Sequence, residues 1–313
     1  MKDLVILAGP TAAGKTALSV KLAKRINGSI ISADSMQVYK GMDIGTAKIT
    51  KAEMEDVPHY LIDVLDPHDD FNIATFKEMA VSAMDDIYKA GRIPIMVGGT
   101  GFYIQSIIYD IDFSAEDTGG PYREHLQGLI DTFGAQYVHK MLEEADGEAA
   151  KRIHFNDHRR MIRALEYNAN TGRKISEHNL ESSEHVSPYN FCYFVLNDDR
   201  QRIYDRIDSR VDKMIEEGLV DEVTKLMKLG LTKNHVSMHG LGYKEIIEYL
   251  NGDRTLDEAV YKIKRDTRHF AKRQLTWFRR EKDVIWLSAE DTDEDDLIGK
   301  MTDELKKKGI FNG

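Results

Sequence analysis

The sequence from residue 9 to residue 16 reads Gly9-Pro10-Thr11-Ala12-Ala13-Gly14-Lys15-Thr16. An apolar run typical of a buried strand precedes it at 4–8, and a run typical of a helix follows at 17–26. Two glycines, a lysine and a hydroxyl residue at this spacing, between a strand and a helix, predict a loop that binds phosphate. The glycines let backbone N–H groups curl around phosphate oxygens, and the helix N-terminus adds partial positive charge.

All eight residues of this phosphate loop are therefore predicted to bind a diphosphate. Lys15 neutralises the outer phosphate, and the Thr16 hydroxyl is a ligand for Mg²⁺, which is the expected cofactor. The loop alone leaves open whether the phosphates belong to a nucleotide. The strand predicted at 93–97 lacks the terminal carboxylate that holds Mg²⁺ in P-loop ATPases. Asp63 and Asp34 are the two candidates for such a carboxylate.

The order of short apolar runs along the chain predicts the fold. Runs with β-branched residues occur at 4–8, 29–33, 60–64, 93–97, 191–196 and 284–287, mostly with helical patterns between them. This alternation predicts an α/β fold whose largely parallel sheet is flanked by helices. The strand signal disappears between 111 and 188, where helical stretches lie at 122–145 and 157–170. We therefore predict an all-helical insertion domain at 113–188, within a discontinuous core domain of 1–112 and 189–313.

The composition is that of a globular protein and limits the possible partners. Of 313 residues, 42% are hydrophobic and 31% are charged, and no apolar run reaches the roughly 18 residues of a membrane span. We expect a cytoplasmic monomer without membrane contact, with Cys192 as a buried thiol.

The net charge of −10 argues against non-specific binding of nucleic acid. Basic residues nevertheless concentrate at 151–174 and 262–282, so local binding of RNA is compatible with the overall charge.

The second basic segment also carries an apolar pattern. Ile263, Phe270 and Trp277 recur at intervals of seven residues, which predicts the buried stripe of a helix. Trp277 is therefore interpreted as a core residue and not as a platform on which a base stacks. The basic residues predicted to project elsewhere are Arg265, Arg268, Lys272 and Arg279.

Six further motifs follow the phosphate loop along nearly the whole chain. They are Asp34-Ser35-Met36-Gln37-Val38-Tyr39, Gly41-Met42-Asp43-Ile44-Gly45-Thr46-Ala47-Lys48, Gly98-Gly99-Thr100-Gly101-Phe102-Tyr103, Asn156-Asp157-His158-Arg159-Arg160-Met161-Ile162-Arg163-Ala164-Leu165-Glu166, Gly242-Tyr243-Lys244-Glu245 and Thr267-Arg268-His269-Phe270-Ala271-Lys272-Arg273-Gln274-Leu275-Thr276-Trp277-Phe278-Arg279. Together with the loop, they closely resemble the tRNA dimethylallyltransferase family. The later motifs have no reason to accompany a phosphate loop in an unrelated kinase, so the resemblance is specific.

The resemblance implies a P-loop NTPase-like, nucleoside-kinase-like fold and a defined reaction. Members of the family transfer a dimethylallyl group from dimethylallyl diphosphate to the exocyclic amine of the adenosine just 3′ of the anticodon. Their substrates are tRNAs that read codons beginning with U, bound through the anticodon stem-loop. The phosphate loop grips the diphosphate of the donor, so hydrolysis of a nucleotide is not implied. The chain lacks the zinc-finger extension of eukaryotic members, which indicates a bacterial type.

The resemblance also implies catalytic roles. The adenine amine is a poor nucleophile because its lone pair is delocalised into the ring, so transfer needs a base, and Asp34 is the candidate. An N-cap or a Mg²⁺ ligand is its alternative role. Lys15 and Arg210 are predicted to stabilise the leaving diphosphate. Thr100 is predicted to hydrogen-bond the adenine or the diphosphate. The alternatives are a solvated helix arginine for Arg210 and a plain turn residue for Thr100.

Chemistry on a base requires that it leave the stacked anticodon loop. Ser35, Met36 and Gln37, beside Asp34, are predicted to contact the extruded adenine, and so are Asp34 and Thr100 themselves. The RNA contacts predicted in the insertion are Arg123, His158, Arg159, Arg160, Met161 and Ile162. A solvated charged face is the alternative for the basic residues. Position 158 is His where many relatives carry Gln, which affects how that residue contacts RNA.

Two other functions compete with this interpretation. A P-loop kinase of a small metabolite would explain the phosphate loop, but it leaves the basic insertion and the basic helix without a purpose. An RNA-binding switch would use a nucleotide only to change shape, with nucleotide-dependent affinity for RNA and no covalent product.

Overall fold

The computed structural model describes residues 1–111, 120–184, 186–290 and 292–313, without the side chains of residues 181–184. Within these ranges the chain forms two compact units. The α/β unit comprises Met1–Ile108 and Pro188–Gly313, and the helical unit comprises Tyr109–Ser187. The domain boundary predicted between residues 112 and 113 lies outside the described residues.

The sheet of the α/β unit contains six strands within the described ranges. They are β1 Lys2–Ala8, β2 Gly28–Ala33, β3 His59–Tyr60, β4 Ile93–Gly98, β5 Tyr189–Asn197 and β6 Val284–Ser288. Their order across the sheet is β3-β2-β4-β1-β5-β6, and their pairings are parallel. Residues 4–8 of the central strand β1 are fully buried, as expected of a parallel sheet whose faces are both covered. The predicted α/β fold with a parallel sheet is confirmed.

The helices follow the alternation that the sequence predicts. The first are α1 Lys15–Ile26, α2 Lys51–Met54, α3 Ile73–Lys89 and α4 Gly101–Ile108. The helical unit contains α5 Pro121–Phe133, α6 Ala135–Ala145, α7 Gly147–Arg152, α8 His158–Thr171 and α9 Ile175–Glu184. The returning chain forms α10 Arg200–Glu216, α11 Leu219–Lys228, a 3₁₀ helix Val236–His239, α12 Tyr243–Leu250, α13 Leu256–Phe278 and α14 Glu294–Lys307. Across the described ranges, none of these helices is both long enough and apolar enough to cross a lipid bilayer.

One hydrophobic core joins α1 and α14 to the sheet. Leu22 of α1 and Met301 of α14 are buried in it together with Val5 and Cys192 from neighbouring strands. The Cys192 thiol donates to the Glu304 carbonyl at 3.9 Å, and burial raises the pKa of this thiol to about 11. The predicted buried thiol is confirmed.

The strand predicted at 60–64 differs from the observed one. β3 ends at Tyr60, because Leu61 and Asp63 have positive φ angles of 62° and 55°, outside the range of an extended strand. The Asp63 carboxylate pairs with Lys48. This candidate for a Mg²⁺ carboxylate is therefore engaged in holding its own loop.

The helical unit has a hydrophobic core of its own. Leu126, Val138, Leu142 and Leu165 are among its buried residues. Gly134, with φ 85° and ψ 158°, separates α5 from α6, so the helical stretch predicted at 122–145 is two helices. No strand occurs in the part of this unit that the structure describes, in agreement with the missing strand signal.

The buried stripe predicted for α13 is partly wrong. Ile263 is buried, but Phe270 and Trp277 are only half-buried. The residues buried toward the end of the helix are Ala271, Gln274 and Phe278. A straight helix has 3.6 residues per turn, so a spacing of seven drifts by about 20° per repeat, and the buried face moves off the predicted positions.

Candidate functional site

The predicted phosphate loop lies at the carboxyl end of β1 and leads into α1. Gly9 has a φ of 149°, and a Cβ atom there would lie 2.3 Å from the carbonyl oxygen of Leu196 in β5. Gly14 has a φ of 95° directly before α1, a left-handed conformation that favours glycine. The two glycines therefore shape the loop, and its N–H groups lie at a helix N-terminus, as binding of an anion requires.

Lys15 is held inside the loop by its own backbone. Its Nζ donates to the carbonyls of Gly9 at 3.0 Å and Pro10 at 2.7 Å. Burial, together with the charge of Arg210, lowers the pKa of Lys15 to about 7, while Asp34 acts in the opposite direction. The ammonium is thus poorly compensated, and a bound anion would stabilise its charged form.

A cavity of about 440 Å³, here called the loop cavity, opens beside the phosphate loop. It is polar, and its charged lining residues are the cations Lys15, Lys21 and Arg210 and the anions Asp34, Glu53 and Glu55. Lys15 and Arg210, next to the phosphate loop, are the cations placed to bind an anionic ligand. The residues that line it include Thr11, Gly14, Lys15, Thr16, Asp34, Gln37, Glu53, Glu55, Arg210 and Gln274.

Arg210 of α10 lies next to the phosphate loop. Its Nη1 donates to the Thr11 hydroxyl at 3.5 Å. The side chain remains in contact with water, but partial desolvation lowers the pKa of its guanidinium, which stays charged at neutral pH. Of the two interpretations of Arg210, this geometry favours the one that places it near a diphosphate.

Asp34 directly follows β2, at the carboxyl edge of the sheet. Its Oδ1 accepts hydrogen bonds from the backbone N–H groups of Met36 at 2.8 Å and Gln37 at 3.3 Å, a turn that aspartate commonly forms. Among the residues that the structure describes, Oδ2 accepts no hydrogen bond. No helix begins at Asp34, so the N-cap role considered for it is not observed. Its Oδ1 is engaged in the turn, and Oδ2 is available for other chemistry.

A second cavity, of about 350 Å³, shares residues with the loop cavity. We call it the mixed cavity, because polar and apolar side chains line it together. Thr11, Asp34, Thr46, Ala47, Arg210 and Phe270 line both cavities. Residues that line only the mixed cavity include Ser35, Met36, Thr100, Val211, Leu241 and Tyr243. Asp34 and Arg210 therefore lie where the two cavities adjoin.

Thr100 and Gln37, both predicted to contact adenine, have different surroundings. Thr100 lines the mixed cavity, and its N–H donates to the Ala33 carbonyl at 3.4 Å. Gln37 lines the loop cavity instead. Its Oε1 accepts from the Ser32 hydroxyl at 3.2 Å, and its Nε2 donates to the Thr46 carbonyl at 3.3 Å. Because both ends of this amide are engaged, the geometry favours a role for Gln37 in holding its loop over the predicted contact with a base.

The RNA contacts predicted on α8 fall into exposed and buried groups. Arg159 and Arg160 are exposed and His158 is half-buried. Met161 and Ile162 are 0% and 5% exposed and belong to the core of the helical unit, so RNA contact through these two side chains is not supported. The reason is geometric, since five successive residues of an α-helix point in all directions around it.

Arg123 of α5 is paired with Glu166 of α8. Its Nε lies 3.0 and 3.1 Å from the two carboxylate oxygens, and its Nη2 lies 2.6 Å from Oε2. Such a pair fixes the geometry of both side chains and joins two helices of the unit. A contact between Arg123 and RNA stays a prediction.

Several basic residues of α13 are also paired with carboxylates of the α/β unit. Lys264 lies 2.6 Å from Asp212, and Arg268 pairs with Asp208, both in α10. These pairs neutralise part of the basic segment seen in the sequence. Exposed basic residues at the end of α13 and just after it are Lys272, Arg273, Arg279 and Arg280.

Comparison with known proteins assigns the family. Residues 37–281 match the family model described as IPP transferase. The tRNA dimethylallyltransferase of Lachnoclostridium phytofermentans is 56% identical over 312 residues, which cover 99% of this chain and 100% of that protein. The chain belongs to the IPP transferase family.

Solved structures of related enzymes resemble this chain over almost its full length. The tRNA isopentenylpyrophosphate transferase from Bacillus halodurans is 44% identical, with a TM-score of 0.75, and the match covers 98% of this chain and 97% of that chain. A eukaryotic dimethylallyltransferase, solved in crystallographic snapshots of its action on tRNA, is 27% identical with a TM-score of 0.84. That match covers 98% of this chain and 80% of that chain. The predicted family and the P-loop NTPase-like fold are confirmed.

A residue that supports the candidate site has no signal in the sequence. Glu222 of α11 is buried, and its carboxylate accepts hydrogen bonds from three successive backbone N–H groups. The donors are Asp43 at 2.9 Å, Ile44 at 2.7 Å and Gly45 at 3.1 Å. Thr46 and Ala47, the next residues of this loop, line both cavities. No local signal identifies Glu222, because these three donors lie more than 170 residues away.

Proposed function

We propose that this chain transfers the dimethylallyl group of dimethylallyl diphosphate to the exocyclic amine of the adenosine 3′-adjacent to the anticodon, in tRNAs that read codons starting with U. The products are isopentenyl-adenosine in tRNA and diphosphate. The observation that carries the proposal is the position of Asp34 and Arg210, which line both cavities. A donor in the loop cavity and a base in the mixed cavity would meet at these residues. The names of the relatives support the same reaction.

The loop cavity suits the diphosphate of the donor. Negative charge builds up on the diphosphate as its bond to carbon breaks, so fixed cations and N–H groups lower the barrier. Backbone N–H groups of the phosphate loop other than that of Thr11, which binds Gln274, supply the donors, and Lys15 and Arg210 supply the charge. On binding, Lys15 exchanges the carbonyls of Gly9 and Pro10 for oxygens of the diphosphate.

Asp34 acts as the general base in this proposal. The amine nitrogen of adenine attacks C1 of the dimethylallyl group, and the bond between C1 and the diphosphate oxygen breaks. One proton of the amine passes to the Asp34 carboxylate. Because Oδ1 is engaged by the N–H groups of Met36 and Gln37, Oδ2 receives the proton. Thr100, which lines the same cavity, hydrogen-bonds the base or the leaving diphosphate.

Mg²⁺ is the proposed cofactor, and the Thr16 hydroxyl is its proposed protein ligand. Thr16 is exposed and lines the loop cavity, and oxygen ligands suit this ion. Over the described ranges, no group of three or more His, Cys, Asp and Glu side chains is placed to hold a metal. Water and oxygens of the diphosphate would complete the shell, as is usual for Mg²⁺. Bound there, the ion neutralises charge on the diphosphate.

The anticodon stem-loop of tRNA is the proposed partner. The adenine must leave the stacked loop to reach Asp34, and Ser35 and Met36 line the mixed cavity next to it. Arg159 and Arg160 are exposed on α8 and are proposed to contact the phosphate backbone, which positions the RNA. We propose that the protein acts as a monomer in the cytoplasm, where tRNA is found.

Two incubations test the proposed function. With dimethylallyl diphosphate and unmodified tRNA, and without ATP, we expect isopentenyl-adenosine, detected by mass spectrometry of the digested tRNA. A tRNA that reads codons starting with another base is the matched control and should stay unmodified. With ATP and no prenyl donor, we expect no product. Phosphate transfer from ATP to a metabolite would support the kinase instead, and nucleotide-dependent binding of tRNA without a covalent product would support the switch.

A further inference from the structure

Gln274 of α13 connects two loops that border the candidate site. Its Oε1 accepts a hydrogen bond from the Thr11 N–H at 2.9 Å, and its Nε2 donates to the Gly99 carbonyl at 3.0 Å. The orientation of the amide is defined by these partners, because an N–H group only donates and a carbonyl only accepts. One side chain therefore spans the phosphate loop and the turn that leads to Thr100.

The Gln274 side chain, which forms this bridge between the two loops, is buried and packs tightly against Gly99. Gln274 is 7% exposed, and a Cβ atom at position 99 would lie 2.0 Å from its Nε2. Any side chain larger than that of glycine at position 99 would displace the amide. Gly99 and Gln274 thus depend on each other, although 175 residues separate them in the chain.

The turn that Gln274 holds is also tied to the strand that leads to Asp34. The Thr100 N–H donates to the Ala33 carbonyl at 3.4 Å, and Asp34 is the next residue. At the other end of the bridge, the hydroxyl of Thr11 accepts from Arg210. The contacts of Gln274 therefore run between the residues assigned to the diphosphate and those assigned to the base.

We propose that Gln274 is a positioning residue that sets the separation between the donor diphosphate and the acceptor adenine, an inference that rests on the proposed function. Both ends of its amide bind protein atoms, so it acts through the two loops and not on the substrate itself. Transfer requires alignment of the amine nitrogen, C1 and the leaving oxygen. A displacement of about 1 Å can lower such a rate about 100-fold.

Loss of the hydrogen bonds of Gln274 should change the ratio of diphosphate released to tRNA prenylated. A general loss of stability should leave that ratio unchanged. When the amine is not aligned with C1, water replaces it. The water oxygen bonds to C1, the bond from C1 to the diphosphate oxygen breaks, and a proton goes to the solvent. The products are dimethylallyl alcohol and diphosphate, so the release of diphosphate exceeds the prenylation of tRNA. A protein that is only less folded makes less of both, in an unchanged ratio.

Gln274→Met keeps a similar side-chain volume, but it removes the N–H donor and leaves only a weak acceptor. We expect kcat for prenylation to fall about 100-fold. The amount of diphosphate released per prenylated adenosine should rise above the wild-type value. Gln201→Met is the matched control, because Gln201 is exposed on α10, and it should keep both the rate and the ratio of the wild type.

Gly99→Ala tests the contact between Gln274 and Gly99 by changing the partner residue. It also provides a second test if Gln274→Met does not fold. It should raise the same ratio, and the double variant should be no worse than the more affected single variant, because both changes disrupt the same bridge between the two loops. A wild-type ratio in the folded variants, or losses that add in the double variant, would overturn the role of Gln274. A wild-type protein that prenylates no tRNA would overturn the proposed function itself.

Discussion

The hydroxyl of Tyr243 donates a 2.8 Å hydrogen bond to Oε1 of Glu222, and both side chains are buried. The same carboxylate accepts the N–H groups of residues 43–45. A buried charge is tolerated here because hydrogen-bond donors surround it. Burial and the nearby charge of Glu222 raise the pKa of Tyr243 well above 10, so its hydroxyl stays a donor. The loop that lines both cavities is thus anchored to α11 and α12.

Changing Glu222 to Gln should destabilise the protein. At least one backbone N–H of residues 43–45 would then face an NH₂ group, which lowers the free energy of unfolding by about 2–3 kcal/mol. Tyr243→Phe removes one donor and should lower it by about 1–2 kcal/mol. Urea unfolding followed by tryptophan fluorescence measures both effects, because Trp277 and Trp286 lie in the α/β unit.

Glu217→Gln is the control for these variants. Glu217 is exposed and pairs with exposed Lys213 at 3.4 Å, so the expected change is within about 0.5 kcal/mol. Equal effects of Glu217→Gln and Glu222→Gln would contradict the anchoring role of the buried carboxylate.

Lys15 should make stability depend on pH. Its pKa is about 7 in the folded protein, against an ordinary value of 10.5, so between these values the unfolded chain binds more protons than the folded one. The penalty for the desolvated charge is complete below about pH 7 and is lost as pH rises toward about 10.5. Relative to wild type, Lys15→Met should therefore gain more unfolding free energy at about pH 6 than at about pH 9. Urea unfolding at both values measures this, and a difference independent of pH would contradict the assignment.

The phosphate loop and five of the six strands in the described residues were predictable because their signals are local. An apolar run, two glycines and a lysine lie within residues 4–16, where the structure has β1, the loop and the start of α1. The buried stripe of α13 was not fully predictable. The helical period moves the buried face from Phe270 and Trp277 to neighbouring residues.

Contacts between distant residues could not be predicted from a single sequence. Glu222 contacts residues 43–45, and Gln274 contacts Thr11 and Gly99, through hydrogen bonds that leave no periodic or compositional trace. The position of Asp34 at the edge of the sheet was predictable, because it directly follows a strand signal. The engagement of Gln37 and the burial of Met161 depend on tertiary packing, which the motifs did not reveal.

Asp34→Asn distinguishes the role of Asp34 as general base from its role in forming the turn. Asparagine still accepts the N–H groups of Met36 and Gln37, but it takes up no proton. We expect kcat for prenylation to fall by about 10²- to 10⁴-fold, with affinity for tRNA nearly unchanged. Asp34→Ala removes the base and the turn together. Single-turnover assays and tRNA-binding titrations measure the two quantities, and equal losses in both would contradict the role of Asp34 as base.

Arg210→Ala should act on the donor and not on the RNA. Removal of a cation beside the phosphate loop should lower kcat/KM for dimethylallyl diphosphate by about 10²- to 10³-fold. Affinity for tRNA should stay at the wild-type value. Arg200→Ala, an exposed arginine of the same helix that stacks on Tyr204, is the control and should change neither quantity. Steady-state kinetics with varied donor make the comparison, and a variant impaired only in tRNA binding would argue against a diphosphate contact.

The most direct measurement is a crystal structure of the protein with an anticodon stem-loop and a dimethylallyl thiolodiphosphate, whose sulfur at the leaving position slows transfer. We predict oxygens of the diphosphate at about 3 Å from backbone N–H groups of the phosphate loop other than that of Thr11, which binds Gln274, and from Nζ of Lys15. We also predict the adenine amine between C1 of the donor and Oδ2 of Asp34. A diphosphate bound away from residues 9–16, or an adenine bound away from Asp34, would contradict the proposed function.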